Sequence, residues 1–291
     1  MDQKLLRQKL MEALDIIVNH NGGWVTRKEL EAVVVDGQSY RLIDTTKGIF
    51  NPQLFDSTLS IMSSPSGPYD DVITPDGLLE YAYMSGTSEG VHKKLRVAMD
   101  NQDPIILLKK IDTGVYAPIF PVFIVGDDPV NKKVLVAVDE SLAMFGATSK
   151  QSPLQKKYVE RIVKQRLHQP EFRSRVIRAY QTKCAVCSLA HGELLDAAHI
   201  IPDAHELGVA EVSNGLSLCK IHHSAYDQYF LGISPDYKVV INQDLLLEKD
   251  GPMLKHGIQE MHGRTILIPS VKALRPSPVN LERRFELFKA S

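Results

Sequence analysis

The chain has 291 residues, 44% of them hydrophobic and 24% charged, with a formal net charge of −1. This composition excludes a disordered or fibrous chain, and the length accommodates two domains. A balance this near neutrality argues against bulk attraction to a polyanion, so any nucleic-acid binding must rest on local clusters.

The halves differ. Residues 1–150 carry 15 Lys and Arg against 20 Asp and Glu, whereas residues 151–291 carry 19 against 15. The opening MDQKLLRQKLMEALDIIVNH is charged throughout, so it reads neither as a signal peptide nor as a membrane span. Three cysteines whose spacing suits a metal imply no disulfides, and a cytoplasmic protein is expected.

A first helix is expected from about Gln3 to Asn19, with Leu5, Leu6, Leu10, Leu14, Ile17 and Val18 on or near one face. Asn21-Gly22-Gly23 ends it. A shorter helix, TRKELEAV, follows, with Thr26 as N-cap and Glu29 as its capping-box partner. With the strand-like YRLID these could form a winged-helix-like start or simply pack onto the next domain.

Residues 40–147 then offer short apolar runs, among them PIILLKKI, YAPIFPVFIV and KVLVAV, broken by Gly, Pro, Asp and Asn. This pattern predicts a curved β-sheet or barrel with one helix, HKKLRVAMD. The fold class expected for the whole chain is α+β.

Within this part, SGPYDDVITPDGLLEYAYMSG resembles the pocket region of SRA (SET- and RING-associated) domains, and KKLRVAMDNQDPIILLKKI continues the likeness. In that family two aromatics sandwich a flipped modified cytosine and an Asp reads its amino group. The resemblance implies that Tyr69 and Tyr81 stack on the base and that Asp71 or Asp70 reads it, with Tyr83 as the alternative to Tyr81 on the same strand face. The run is one residue shorter than the family's usual Tyr-Glu-Asp-Asp. Half-buried strand aromatics and an Asp turn are the plainer reading, and EVE-type or PUA-type barrels would leave a similar pattern of strands.

Composition places a linker over 148–155 between a first domain, 1–147, which the SRA resemblance implies senses DNA, and a second domain over 156–291. Lys156, Lys157, Arg161, Lys164, Arg166, Arg173, Arg175, Arg178 and Lys183 form a basic helical stretch, interrupted near Gln169-Pro170, that could track phosphates or serve as a solvated face.

The stretch CAVCSLAHGELLDAAHIIPDAHELGVAEVSNGLSLCKIHHSAYD carries the chemistry. Cys184 and Cys187 form a C-x2-C knuckle and Cys219 with His222 a C-x2-H knuckle, four ligands of the kind that close a tetrahedral structural zinc site. Buried free thiols are the plain alternative. His199 lies in the strand-like LLDAAHII, Asn214 opens NGLSLC, and His223 and Asp227 share a helix face at i,i+4. His191 and His205 are expected in solvent-exposed loops.

The order His199, Asn214, His223 inside two knuckles resembles the HNH endonucleases, over roughly residues 170–248, and AAHIIP and NGLSLC…HHSAYD are especially similar to HNH modules of bacterial restriction enzymes. The resemblance implies a ββα fold with His199 as general base, Asn214 holding the base's loop or ring, and His223 and Asp227 binding a catalytic Mg²⁺ or Mn²⁺. Many members carry Asp or His directly before the base. Here that residue is Ala198, which leaves Asp196 as a further ligand candidate.

Downstream, FLGISPDYKVVIN is expected as a β-hairpin, GRTILIP as a strand, and LRPSPVNLERRFELFKA as a short helix capped by Asn280. The function implied is a metal-dependent DNA endonuclease of the restriction type that recognises 5-methyl- or 5-hydroxymethylcytosine in double-stranded DNA. A homodimer is expected, since one such site cuts one strand. The alternatives are a non-catalytic zinc-knuckle DNA-binding or regulatory protein, and an HNH nuclease that reads phosphorothioate DNA or an unmodified sequence.

Overall fold

The computed structural model describes residues 2–63, 72–74, 77–82, 89–145, 153–249 and 251–291. The chain divides into two units, Met1–Val18 with Trp24–Glu171 and Asn19–Gly23 with Phe172–Ser291. The architecture is α+β.

The first part of the chain runs through α1 (Gln3–Asn21), β1 (Val25–Thr26), α2 (Arg27–Leu30), β2 (Val33–Val35), β3 (Gln38–Tyr40), β4 (Ile49–Phe50), β5 (Ser60–Ser63), β6 (Val72–Ile73) and β7 (Leu79–Ala82). It continues with α3 (Glu89–Asp100), β8 (Ile105–Asp112), β9 (Val115–Asp128), β10 (Lys133–Ala137), α4 (Glu140–Phe145) and α5 (Pro153–Val163). A π-helical turn over Lys164–His168 then leads into α6 (Gln169–Ala179).

The main sheet has the order β4-β5-β8-β9-β10-β7-β6, with β1 added on β9. Only β5 and β8 pair in parallel among these strands. The apolar run at the start of β8 explains its central place. Ile105 and Leu107 enter one core with Leu95 and Val122, while Ile106 and Leu108 enter the other with Leu10 and Leu14 of α1. A strand covered on both faces needs an unbroken apolar run instead of alternation. Register shifts of β9 against both β8 and β10 bend the sheet into its curve.

Thr26 and Glu29 form the expected capping box at α2. The helix is one turn long, because Val33–Val35 pairs with β3 around Asp36 and Gly37, whose φ values are +50° and +76°. Two positive φ angles make the mirror-image turn that suits a hairpin, and the β-branched valines favour the strand. Side chains of α1, α2 and β2 share a core with Ile106, Leu108 and Tyr116 of the sheet, so these elements pack onto the sheet.

The division between units falls after Glu171 and not in the polar stretch 148–155. Val159, Val163 and Leu167, an apolar stripe at i,i+4 spacing, belong to the first unit's core. The Ser, Lys and Gln content that suggests a linker therefore precedes helices that are part of the first unit, and residues 148–152 lie outside the described ones.

In the second unit α6 from Phe172 onward is followed by β11 (Leu195–His199), β12 (Gly215–Cys219), α7 (Lys220–Asp227), β13 (Leu231–Ile233), β14 (Val239–Ile241), α8 (Gln243–Leu247), α9 (Pro252–Gly257) and α10 (Pro278–Lys289). β11 and β12 form an antiparallel ribbon from Leu195↔Cys219 to His199↔Gly215, and α7 starts directly after β12, giving a ββα unit. Gly215 lets α6 lie against the ribbon: a Cβ there would stand 2.4 Å from Val176 Cγ2 and 3.0 Å from the Phe172 ring.

β13 and β14 form the hairpin expected from FLGISPDYKVVIN. GRTILIP does not become a strand. It makes a single bridge, Thr265 to Lys238, and buries Ile266 in the core. The cap of α10 is Ser277, which accepts from the Asn280 amide with Pro278 in the first turn, so Asn280 lies inside the helix. Among the described residues no helix is long and apolar enough to cross a membrane.

Candidate active site and metal cluster

The two knuckles meet. The ligand atoms of Cys184, Cys187, Cys219 and His222 all lie within 4.8 Å of one another. Zinc–sulfur bonds of about 2.3 Å set tetrahedral edges of roughly 3.8 Å, so a small contraction would close the site. His222 Nδ1 is 3.5 Å from Cys184 Sγ and 3.2 Å from Cys219 Sγ. Its Nε2 lies 2.8 Å from the Gly257 carbonyl, the last residue of α9. That carbonyl can only accept, so Nε2 carries a proton and Nδ1 is the nitrogen turned to the sulfurs, free to ligate once a metal displaces its own proton.

Burial alone lowers the His222 pKa, but hydrogen bonding and charge from Cys184 and Cys219 outweigh it and raise it to about 10. Such a cluster favours a cation at its centre. The donor set and its spacing fit a structural zinc.

Asn214 is fully buried. Its Oδ1 accepts from the Ile201 amide at 3.0 Å and from Asn280 Nδ2 at 3.1 Å. Its Nδ2 donates to the carbonyls of Ile201 and Val209, both at 3.0 Å. All four hydrogen-bonding positions of the amide are used, so the side chain can touch neither water nor substrate. It ties down the chain that follows His199.

His199 ends β11, half-buried, with its ring stacked on Phe172 of α6 at 4.0 Å between centroids and 15° between planes. Asp196 is three residues back, and an odd separation sends the two side chains to opposite sides of a strand. Asp196 meets α7. Its Oδ2 is 3.4 Å from His223 Nδ1, and its Oδ1 accepts from Lys220 Nζ at 2.5 Å. The hydrogen bond from His223, then that from Lys220, overcome the opposing effect of burial and hold the Asp196 pKa at about 2. On the other edge of the imidazole, Nε2 lies 3.3 Å from Asp227 Oδ2. Asp196, His223 and Asp227 thus stand in a row, with Ala198 buried beside them on the strand.

The row continues to a residue that sequence reasoning missed. Arg284 of α10, 7% exposed, places Nη2 3.9 Å from Asp227 Oδ1. It also donates to the Tyr226 carbonyl and the Tyr229 hydroxyl, both at 3.0 Å, and lies over both rings. Asn280 and Arg284 reach their partners across 66 and 58 residues, and nothing local in RPSPVNLERRFE announces such contacts.

The basic stretch divides. Arg173 donates to the carbonyls of Gly192 and Leu195, and Arg166 pairs with Asp139, so these hold the fold. Lys157 and Arg161 are exposed.

Of the residues expected to read a base, Tyr69, Asp70 and Asp71 lie outside the described residues, as does Tyr83. Tyr81 is 5% exposed, and its hydroxyl lies 3.2 Å from the carbonyls of both Gly48 and Met62. Alternation along β7 turns Leu79 and Tyr81 into the core. Tyr81 is therefore a core residue here and does not offer its ring to a base.

Comparison with known proteins bears on the same stretch. Residues 184–234 match the family model described as HNH endonuclease. No curated protein matches the chain. Among solved structures the chain is similar to the modification-dependent TagI restriction endonuclease, with 14% identity, a TM-score of 0.31, and 84% of this chain and 86% of that one covered. It is also similar to the type IV phosphorothioation-dependent restriction endonuclease ScoMcrA, with 14% identity, a TM-score of 0.24, and 62% and 48% covered.

Proposed function

We propose that this chain, whose residues 184–234 form an HNH endonuclease domain, is a restriction endonuclease that hydrolyses DNA phosphodiesters after its first unit has sensed a modified cytosine. The observation that carries the nuclease reading is the ββα unit itself. A zinc-type cluster closes one end, a saturated Asn214 fixes the chain after His199, and α7 presents His223 and Asp227 together.

In this reading His199 is the general base. A neutral imidazole titrates nearest working pH, and Phe172 holds its ring by stacking. One imidazole nitrogen and carboxylate oxygens, part exposed with room for waters and a phosphate, suit a hard divalent cation such as Mg²⁺ or Mn²⁺. Bound there, that ion would supply Lewis-acid stabilisation of the phosphate and the leaving oxygen. Because Asp196 and His199 leave β11 on opposite sides, the phosphodiester must span the end of the ribbon to meet both His199 and α7.

The modified-cytosine part rests on the likeness of SGPYDDVITPDGLLEYAYMSG to base-reading pockets, with Tyr69 and the Asp70-Asp71 pair as its readers. A homodimer follows from the need to cut two strands. A non-catalytic zinc-scaffolded DNA-binding protein would keep the cluster and Asn214 but would have no use for the His223 and Asp227 pair.

A digestion panel tests the whole reading: one DNA sequence carrying cytosine, 5-methylcytosine or 5-hydroxymethylcytosine, with Mg²⁺ or Mn²⁺ and with or without EDTA. Metal-dependent cleavage of a modified substrate is expected. Equal cleavage of all three removes the modified-base reading, and binding without cleavage under every condition removes the nuclease reading.

A further inference from the structure

One imidazole cannot give both nitrogens to the same ion, because they point away from each other. The row Asp196, His223, Asp227, Arg284 therefore poses a choice between the Nδ1 edge, with Asp196, and the Nε2 edge, with Asp227.

The two edges are not equivalent. On the Nδ1 side the Asp196 side chain is 26% exposed and its second oxygen already accepts from the Lys220 ammonium at 2.5 Å. A cation arriving there would have to displace a resident one. On the Nε2 side Asp227 is 53% exposed, leaving space for waters and a phosphate oxygen.

The two oxygens of Asp227 are also divided in use. Oδ1 faces Arg284 at 3.9 Å and Oδ2 faces His223 Nε2 at 3.3 Å. Arg284 is fixed independently of Asp227, by the Tyr226 carbonyl, the Tyr229 hydroxyl and both rings. Its guanidinium thus forms a stationary wall behind the carboxylate. Both flanking carboxylates can only accept, at 3.4 Å from Nδ1 and 3.3 Å from Nε2, but Asp196 is the more buried of the two and Asp227 faces solvent, so the less screened Asp196 draws the single proton of a neutral His223 to Nδ1 and frees the Nε2 lone pair.

We propose that Asp196 and Arg284 are positioning residues and not ligands: Asp196 holds the Nδ1 proton of His223, and Arg284 holds Oδ1 of Asp227, so that Nε2 and Oδ2 face one divalent cation. The inference rests on the nuclease reading above and assigns that site's outer support to two residues outside the His-Asn-His series. It gives Asp196 a different role from the ligand place expected for it beside Ala198.

The test is a Mn²⁺ titration of the zinc-loaded full chain, followed by calorimetry, together with ¹⁵N spectroscopy of the His223 ring in alkaline solution without added Mn²⁺. Wild type should bind Mn²⁺ and carry its ring proton on Nδ1. Asp196→Ala and Arg284→Gln should each weaken Mn²⁺ binding by about 10- to 100-fold, the usual effect of removing an outer-shell partner. Asp196→Asn, which keeps an acceptor, and Arg284→Lys, which keeps the charge, should lose less. Asp196→Ala should also move the ring proton toward Nε2. A merely structural role would lower the melting midpoint and leave both readouts in place. If Asp196→Ala or Arg284→Gln does not fold, Asp196→Asn and Arg284→Lys carry the comparison.

A wild-type ring proton on Nε2, or unchanged Mn²⁺ affinity in the Asp196 and Arg284 variants, overturns the proposal while the nuclease reading survives. Undiminished Mn²⁺ binding by Asp227→Ala overturns both, because the row then holds no ion.

Discussion

Asn214 braces the backbone beside the candidate site without being able to reach a substrate. Its amide has no spare position, and three of its partners, the Ile201 amide and the Ile201 and Val209 carbonyls, are backbone groups of the chain just after His199. Asn214→Ala leaves these without their partner, at a cost of about 3 kcal/mol. Denaturant unfolding of the zinc-loaded protein measures this, and a change below roughly 0.5 kcal/mol would mean that water replaces the amide without penalty. The clustering of the knuckle cysteines with His222, and the place of Asn214 after His199, are legible in the sequence, because fixed short spacings and a fixed order carry them. The partners Asn280 and Arg284 are not legible, since their contacts are made possible only by the folding of α10 onto the unit.

The ribbon and the helix behind it depend on one another. Gly215 pairs with His199 across the ribbon, and its missing side chain is the space into which Val176 and Phe172 of α6 pack. Gly215→Ala must push against a stiff β-branched neighbour and against the ring on which His199 stacks. We expect a loss of about 1 to 3 kcal/mol together with reduced cleavage, read from thermal melts and plasmid nicking. Unchanged stability would show that α6 can retreat freely.

Elements of this kind are legible where local chemistry sets them. The Thr26 and Glu29 box does so for α2 and FLGISPDYKVVIN for a hairpin. They are misread where tertiary pairing wins, as with Val33, the last residue of the expected TRKELEAV helix, which pairs with Tyr40 as a strand.

At the scale of the molecule, each unit is organised differently. The first has a sheet covered on both faces, with β8 dividing its residues between two apolar cores. The second has its own apolar core, which includes Cys184 and Cys219, and the cluster of those two cysteines with Cys187 and His222 joins the knuckle to α7. Removal of zinc by a chelator should therefore unfold the second unit selectively, because ligand deprotonation and folding are coupled there. Hydrogen exchange should show lost protection in β11, β12 and α7 with the first unit's β8 and β9 still protected. Equal protection before and after chelation would mean that the apolar core suffices without the ion. Composition made the two-part plan legible, but the division after Glu171 was hidden, because the stripe of Val159, Val163 and Leu167 lies beyond the polar stretch that looks like a linker.

The central claim is that the ββα unit cuts DNA with His199 as its base, and one comparison tests it most directly: plasmid cleavage in Mn²⁺ by wild type and by His199→Ala, with DNA binding measured in parallel. Loss of the base should slow cleavage by about 10²- to 10⁴-fold and leave binding unchanged. Cleavage by His199→Ala at the wild-type rate would contradict the account.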